Sequence, residues 1–169
     1  WYELRRSGGG NWAVRQQGTY APDSHSRWMG SVALNGSGQI GLGYSISSSS
    51  LHPGIRYTGQ STIEYNNASG IMDIPEETVF TGSYSQSYTN RWGDYANISV
   101  DPLNDFTFWF STEYMGSSTH GTQITAFDIA IPSLTAQFSA SPTSVCSGGT
   151  VNFTDQSLGG PTSWSWSFQ

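Results

Sequence analysis

The sequence predicts an all-β chain built from recurring antiparallel units, and three observations carry that expectation. The first is a near-repeat. Gly18-Thr19-Tyr20 followed by Ser26-Arg27-Trp28 returns as Gly82-Ser83-Tyr84 followed by Asn90-Arg91-Trp92. The offset is 64 residues at Gly18 to Gly82, Tyr20 to Tyr84, Arg27 to Arg91 and Trp28 to Trp92. The second is composition: 14% aromatic and only 11% charged residues suit pleated faces filled by rings, with many Gly, Ser and Thr for turns. The third is that no stretch sustains a 3.6-residue apolar period, whereas short alternating runs bounded by Gly, Asn, Ser and Pro recur throughout.

The elements follow in order. Trp1–Arg6 and Trp12–Gln17 flank Ser7-Gly-Gly-Gly-Asn11 and read as a hairpin. Thr19–Ser26 is a polar crossing. Strands are expected at Met29–Leu34, Gln39–Ile46, Gly54–Thr58 and Thr78–Gly82, with Asn35-Gly-Ser-Gly38 turning the first into the second. Gly59–Glu77 is long and polar, and reads as an irregular excursion. A second set repeats the plan at Tyr95–Val100, Phe106–Tyr114 and Thr122–Ile131, turned by Asp101-Pro-Leu-Asn-Asp105. Its last strands lie 66 residues on (Tyr44 to Phe110), so Gly93-Asp94 reads as a two-residue insertion.

Four antiparallel strands per unit, at a period in the sixties, suit β-propeller blades packed face to face, about two and a half of them over residues 1–131. Trp1–Tyr20 then reads as the outer half of a preceding unit. Residues 132–137 read as a linker, and residues 138–169 as the beginning of a sandwich module, in which the alternation of Thr150–Thr154 and of Ser163–Phe168 reads as half-buried strands. The chain starts and stops inside strand-like sequence, which reads as a fragment of a longer secreted protein.

Charge and cysteine content narrow the function classes. Six Arg, no Lys and twelve acidic residues give a net charge of −6, the wrong balance for a nucleic-acid partner. Cys146 is alone and has no cation or His beside it, so it offers neither an internal disulfide nor an activated nucleophile. No apolar run is long enough for a transmembrane segment. His25, His52 and His120 are isolated in the sequence, and no zinc site is expected.

The candidate site residues come from the repeat and its break. Arg27 and Trp28, with Arg91 and Trp92, could grip and stack a sugar or a carboxylate. A feature repeated in each unit is better explained by architecture, with Arg stacked on Trp and bonded to neighbouring backbone carbonyls. Asp94 lies in the insertion. With Glu113 or Tyr114 it could form an acid/base set, the Asp94–Glu113 combination being the two carboxylates that glycoside hydrolysis needs; a local turn carboxylate is the plainer explanation. Asp101, Asn104 and Asp105 offer oxygens for Ca²⁺ but at ordinary turn spacing. No other cofactor is expected.

Two resemblances add to this. The tail resembles the start of a PKD (polycystic-kidney-disease-type) domain. The matching residues are Phe138, Ala140 and Pro142, then Gly148, Gly149, Val151, Phe153, Thr154, Asp155 and Ser157, then Trp164, Trp166 and Phe168. The phrases Arg27-Trp-Met-Gly-Ser-Val-Ala-Leu34, Gly43-Tyr-Ser-Ile-Ser47, Arg91-Trp-Gly-Asp-Tyr95 and Thr107-Phe-Trp-Phe110 resemble the last blades of secreted bacterial propellers related to sialidase-type repeat proteins. The Ser-x-Asp-x-Gly-x-Thr-Trp box of sialidases does not occur. Together the resemblances imply a secreted or cell-surface multi-domain bacterial protein. Its expected role is non-catalytic scaffolding and binding, to glycan or extracellular protein; the alternative is a propeller glycoside hydrolase or an accessory region of one.

Overall fold

A computed structural model describes residues 1–130, 135–157 and 163–167 of the chain. The expected linker residues Pro132, Ser133 and Leu134 lie outside the described residues, as do Ile131, residues 158–162, Phe168 and Gln169. The chain divides into two compact units, Trp1–Ala130 and Ile131–Gln169.

The first unit is all-β apart from one short helix, and none of its sheets is closed. Strands β1 (Tyr2–Arg5) and β2 (Ala13–Gln17) form a hairpin. Strands β3 (Ser26–Leu34), β4 (Ile40–Ser48), β5 (Leu51–Gln60) and β6 (Ile74–Phe80) form an antiparallel sheet in the order β3-β4-β5-β6. Strands β7 (Asn97–Val100), β8 (Phe108–Met115) and β9 (His120–Phe127) form a second sheet in sequence order.

One expectation changes here. The excursion expected at Gly59–Glu77 is largely regular: β5 runs on to Gln60, helix α1 spans Thr62–Asn67, and β6 begins at Ile74. Ser61 caps α1 by accepting from the Glu64 amide, and Ala68 ends it in the left-handed conformation. A six-residue helix carries no detectable apolar period, because two turns cannot establish one.

The two sheets stack face to face, and the alternation of β4 explains how. Ile40, Tyr44 and Ile46 are buried on one face. Gly41, Gly43 and Ser45 point the other way. A Cβ on Gly41 would stand 2.9 Å from the Phe108 ring, and one on Gly43 would stand 2.6 Å from the Phe110 ring. The rings therefore lie directly on backbone. Phe108, Phe110, Ile55, Ile98, Phe127 and Ile129 form the core between the sheets. Tyr57 stacks on Phe127 at 3.9 Å, adding aromatic contact beyond area burial.

The turns are tied across the stack. Asn35 accepts from the Ser37 and Gln39 amides, and its own side-chain amide donates to Gln39 Oε1 and to the Phe106 carbonyl. Gln39 donates to the Ile129 carbonyl at 3.0 Å. These buried amides are satisfied, so they fix register without an unpaired polar atom. A second satisfied pair anchors the hairpin: Gln16 and Gln60 exchange hydrogen bonds at 3.0 and 3.1 Å. Gln16 also donates to Glu3, which Arg5 and Arg15 flank.

In the second unit, β10 (Phe138–Ser141) pairs antiparallel with β11 (Asn152–Asp155). The strand expected at Ser163–Phe168 is absent from its described part, Ser163–Ser167. Trp166 instead meets Phe138 and Phe153 through its ring, at 5.4 and 5.8 Å. Alternation alone places rings on one face; a strand also needs a ladder, and Ser163–Ser167 forms none.

Gly43→Ala should destabilise the fold by about 1–3 kcal/mol, because Phe110 has no room to retreat in a packed interface. Gly9→Ala, where a Cβ meets nothing within 4 Å, should stay within about 0.5 kcal/mol. Urea midpoints of the two variants test this. A second expectation concerns acid. Burial raises the Glu3 carboxyl, but hydrogen bonds from Gln16, Arg5 and Arg15 outweigh it and hold the group below its usual 4.5. A depressed folded-state pKa contributes stability above 4.5 that is lost as pH falls through the folded value. Glu3→Gln should therefore flatten the acid limb of the thermal-stability profile while leaving the neutral limb parallel to wild type.

Candidate functional site

The 66-residue offset maps β4 onto β8, so Gly43, Ser45 and Ser47 correspond to Trp109, Ser111 and Glu113. On β4 that face is covered. Phe110 lies on Gly43, and the Trp92 indole donates to Ser45 Oγ at 3.2 Å. On β8 the same face carries no further sheet among the described residues, and it has been relined with Trp109, Ser111 and Glu113.

The polar part of this face is a depression of about 450 Å³, lined by Asp94, Tyr95, Ser111, Glu113, His120 and Thr122 among others. A second depression adjoins it through Asp94, Tyr95, Glu113 and His120, and adds Tyr88, Arg91 and Trp92. Glu113 is fixed on both oxygens: Oε2 accepts from the Gly93 amide at 2.8 Å, and Oε1 pairs with His120 Nδ1. Asp94 pairs with Arg91. The His120 ring lies 5.7 Å from Tyr88 and 5.5 Å from Trp92. Tyr95 is 90% exposed, so one face of its ring is free to receive a ligand.

The structure thus gathers Arg91, Trp92, Asp94 and Glu113. It does not bring in Arg27, Trp28 or Tyr114. Tyr114 follows Glu113 on the strand and so faces the other way, where it packs on Phe80 with ring centres 4.5 Å apart. Trp28 donates to Ser47 Oγ and meets Trp92 edge to face at 5.3 Å, so the two repeated tryptophans touch at the sheet interface.

The two arginines share a motif and little else. The Arg27 side chain is 7% exposed and bridges Asp23 and Glu76, each at 2.7 Å. It lies over the Tyr20 and Tyr44 rings rather than on Trp28, correcting the stacking expected from sequence. The hydrogen bond to Arg27 holds the Asp23 carboxyl far below the usual carboxylate range. Burial, then the hydrogen bond with Glu76, pushes the Tyr44 hydroxyl well above its usual value. Arg91, by contrast, is 74% exposed on the rim of the depression.

His120 was not expected at the site. It pairs opposite Met115 across the β8–β9 hairpin, two residues from Thr122, which faces Glu113. That diagonal brings His120 and Glu113 onto one face, a relation readable from sequence only once the hairpin register is known. The calcium candidates are engaged otherwise. Asp101 accepts from the Leu103 amide and the Trp109 indole, and Asn104 Oδ1 accepts from the Phe106 and Thr107 amides. Among the described residues, no group of three or more His, Cys, Asp or Glu is arranged to hold a metal ion.

No protein-family model, curated protein or solved structure matches the chain.

Arg27→Met should cost about 3 kcal/mol, since it strands Glu76 beside Tyr44 inside the sheet. Arg91→Met should cost less than about 0.5 kcal/mol. Equal losses in denaturant titrations of the two variants would contradict this division of roles.

Proposed function

We propose that the first unit is part of a secreted or cell-surface bacterial scaffold that binds glycan in the depression around Glu113 and Tyr95. In this reading the stacked sheets are propeller blades and the tail begins a PKD-like spacer module. The supporting observation is the gathering of open aromatic rings with oriented hydrogen-bonding groups on one exposed face. Tyr95 and Tyr88 offer ring surface to the apolar face of a sugar. Asp94 and Glu113 offer acceptors to its hydroxyls, and Arg91 offers a fork of donors. The chain is acidic, at −6, which disfavours polyanionic ligands and suits neutral saccharides. Among the described residues no helix is long and apolar enough to cross a membrane.

A glycoside hydrolase is the second reading, favoured by the presence of Asp94 and Glu113 in one depression. Hydrolysis needs a carboxylic acid that can donate a proton to the leaving oxygen. Here both Glu113 oxygens are engaged, by the Gly93 amide and by His120, and Asp94 is paired with Arg91, so neither carboxyl group is left free to face a leaving oxygen. Binding without turnover therefore fits the geometry better.

A glycan array probed with the full chain should give saccharide binding that Tyr95→Ala weakens at least fivefold, with the melting temperature unchanged. Release of reducing sugar from a bound oligosaccharide, abolished by Asp94→Asn, would replace this proposal with the hydrolase.

A further inference from the structure

The β1–β2 hairpin is a second copy of the β5–β6 pair, down to its irregularity. Glu3 pairs with Gln16, after which the register slips and Leu4 pairs with Val14 and Arg5 with Ala13. Ile55 pairs with Phe80, after which the register slips and Arg56 pairs with Thr78 and Tyr57 with Glu77. On the second strand each position recurs 64 residues on (Val14 to Thr78, Gln16 to Phe80), the offset of the Arg-Trp repeat. On the first strand the offset is 52 residues (Glu3 to Ile55), because α1 and its flanks lengthen the later connection. A β-bulge at the same place in both copies marks one structural unit used twice.

The copies differ in what lies beyond the first strand. In the sheet, β5 is internal and β4 pairs along its outer edge. In the hairpin, β1 has no ladder on that edge among the described residues. Beside it two depressions, of about 340 and 220 Å³, both include Trp1 and Val32 and so run together. Leu42 and Tyr44 line the first, and Leu4, Leu34 and Ile40 the second. The Trp1 ring lines both, with its indole nitrogen turned inward beside Gly18.

The register assigns the occupant. We propose that the open edge of β1 takes an extended strand from a further unit of this same kind, carrying glycine or serine at alternate positions as β4 does. Leu42 and Tyr44 lie 66 residues before Phe108 and Phe110, the rings that rest on Gly41 and Gly43. By that equivalence a strand lying over Leu42 is bare on its inner face as β4 is, while Tyr44 is already covered by Tyr20 and Arg27. Transferred from β5, the register sets its residues equivalent to Gly43, Tyr44 and Ser45 opposite Arg5, Leu4 and Glu3. Backbone pairing supplies affinity, and the glycine alternation supplies selectivity. The inference is independent of the glycan reading, because no residue of that depression takes part.

The test adds a synthetic peptide with the sequence of Gln39–Ser47 to the full chain, followed by calorimetry and amide NMR. One-to-one binding is expected, with shifts concentrated at Tyr2–Arg5 and a change in Trp1 fluorescence. A peptide with valine at both Gly41 and Gly43 should bind at least tenfold more weakly. Val32→Arg in the chain, a change at a half-exposed position, should weaken binding comparably without lowering the melting temperature. Absence of binding, equal binding of the valine peptide, or a concentration-dependent dimer that the peptide does not displace would each overturn the proposal.

Discussion

The direct seating of Phe108 and Phe110 on the glycine face of β4 is the contact on which the rest of the first unit depends. Two sheets faced with ordinary side chains would stand about 10 Å apart. Removing Cβ atoms at Gly41 and Gly43 lets one layer of rings fill the space, while Ile129 lies against Gly59 in the same way. That close approach brings Trp28 to Trp92 and lets Gln39 reach the Ile129 carbonyl. It also fixes where the loop after β6 crosses, and so where Asp94 and Glu113 meet.

Repetition in this chain specifies packing first and chemistry second. The repeated tryptophans remain alike: each indole donates to a serine of β4, and their rings touch. The repeated arginines have diverged. Arg27 is locked between two carboxylates and two tyrosine rings, whereas Arg91 stands on an open rim. The same dipeptide thus keeps its tryptophan at the sheet interface in both copies, while its arginine is enclosed in one and exposed in the other.

The face of β8 shows the converse of the glycine rule. Where β4 presents Gly43, Ser45 and Ser47 to a neighbour, β8 presents Trp109, Ser111 and Glu113. A bulky ring and a paired carboxylate cannot accept phenylalanine rings at contact distance. A face with no sheet against it need not be bare, and the Glu113–His120 pair occupies it. At the other end, β1 keeps an open edge beside apolar surface, the arrangement that proteins otherwise cover or charge.

Much of the fold was legible in the sequence because strand alternation and turn chemistry are local. The hairpin at Ser7–Asn11, the turn at Asn35–Gly38 and the strands of both sheets follow from period-two patterning between turn residues. The 64-residue repeat likewise located the units. The helix at Thr62–Asn67 was not legible, since its signal spans too few residues. Nor was the missing strand at Ser163–Ser167, where alternation lacked a ladder partner. The Gly93-Asp94 insertion singled out by the repeat falls in the loop that lines the depression, but the partnership of Glu113 with His120, and the turning away of Tyr114, depend on hairpin register and on which face a sheet exposes. Sequence alone determined the elements and their recurrence, because each is written within a few residues. Tertiary structure alone decided which arginine is buried, which carboxylates converge and which edge is left open, because those outcomes depend on what lies across the stack.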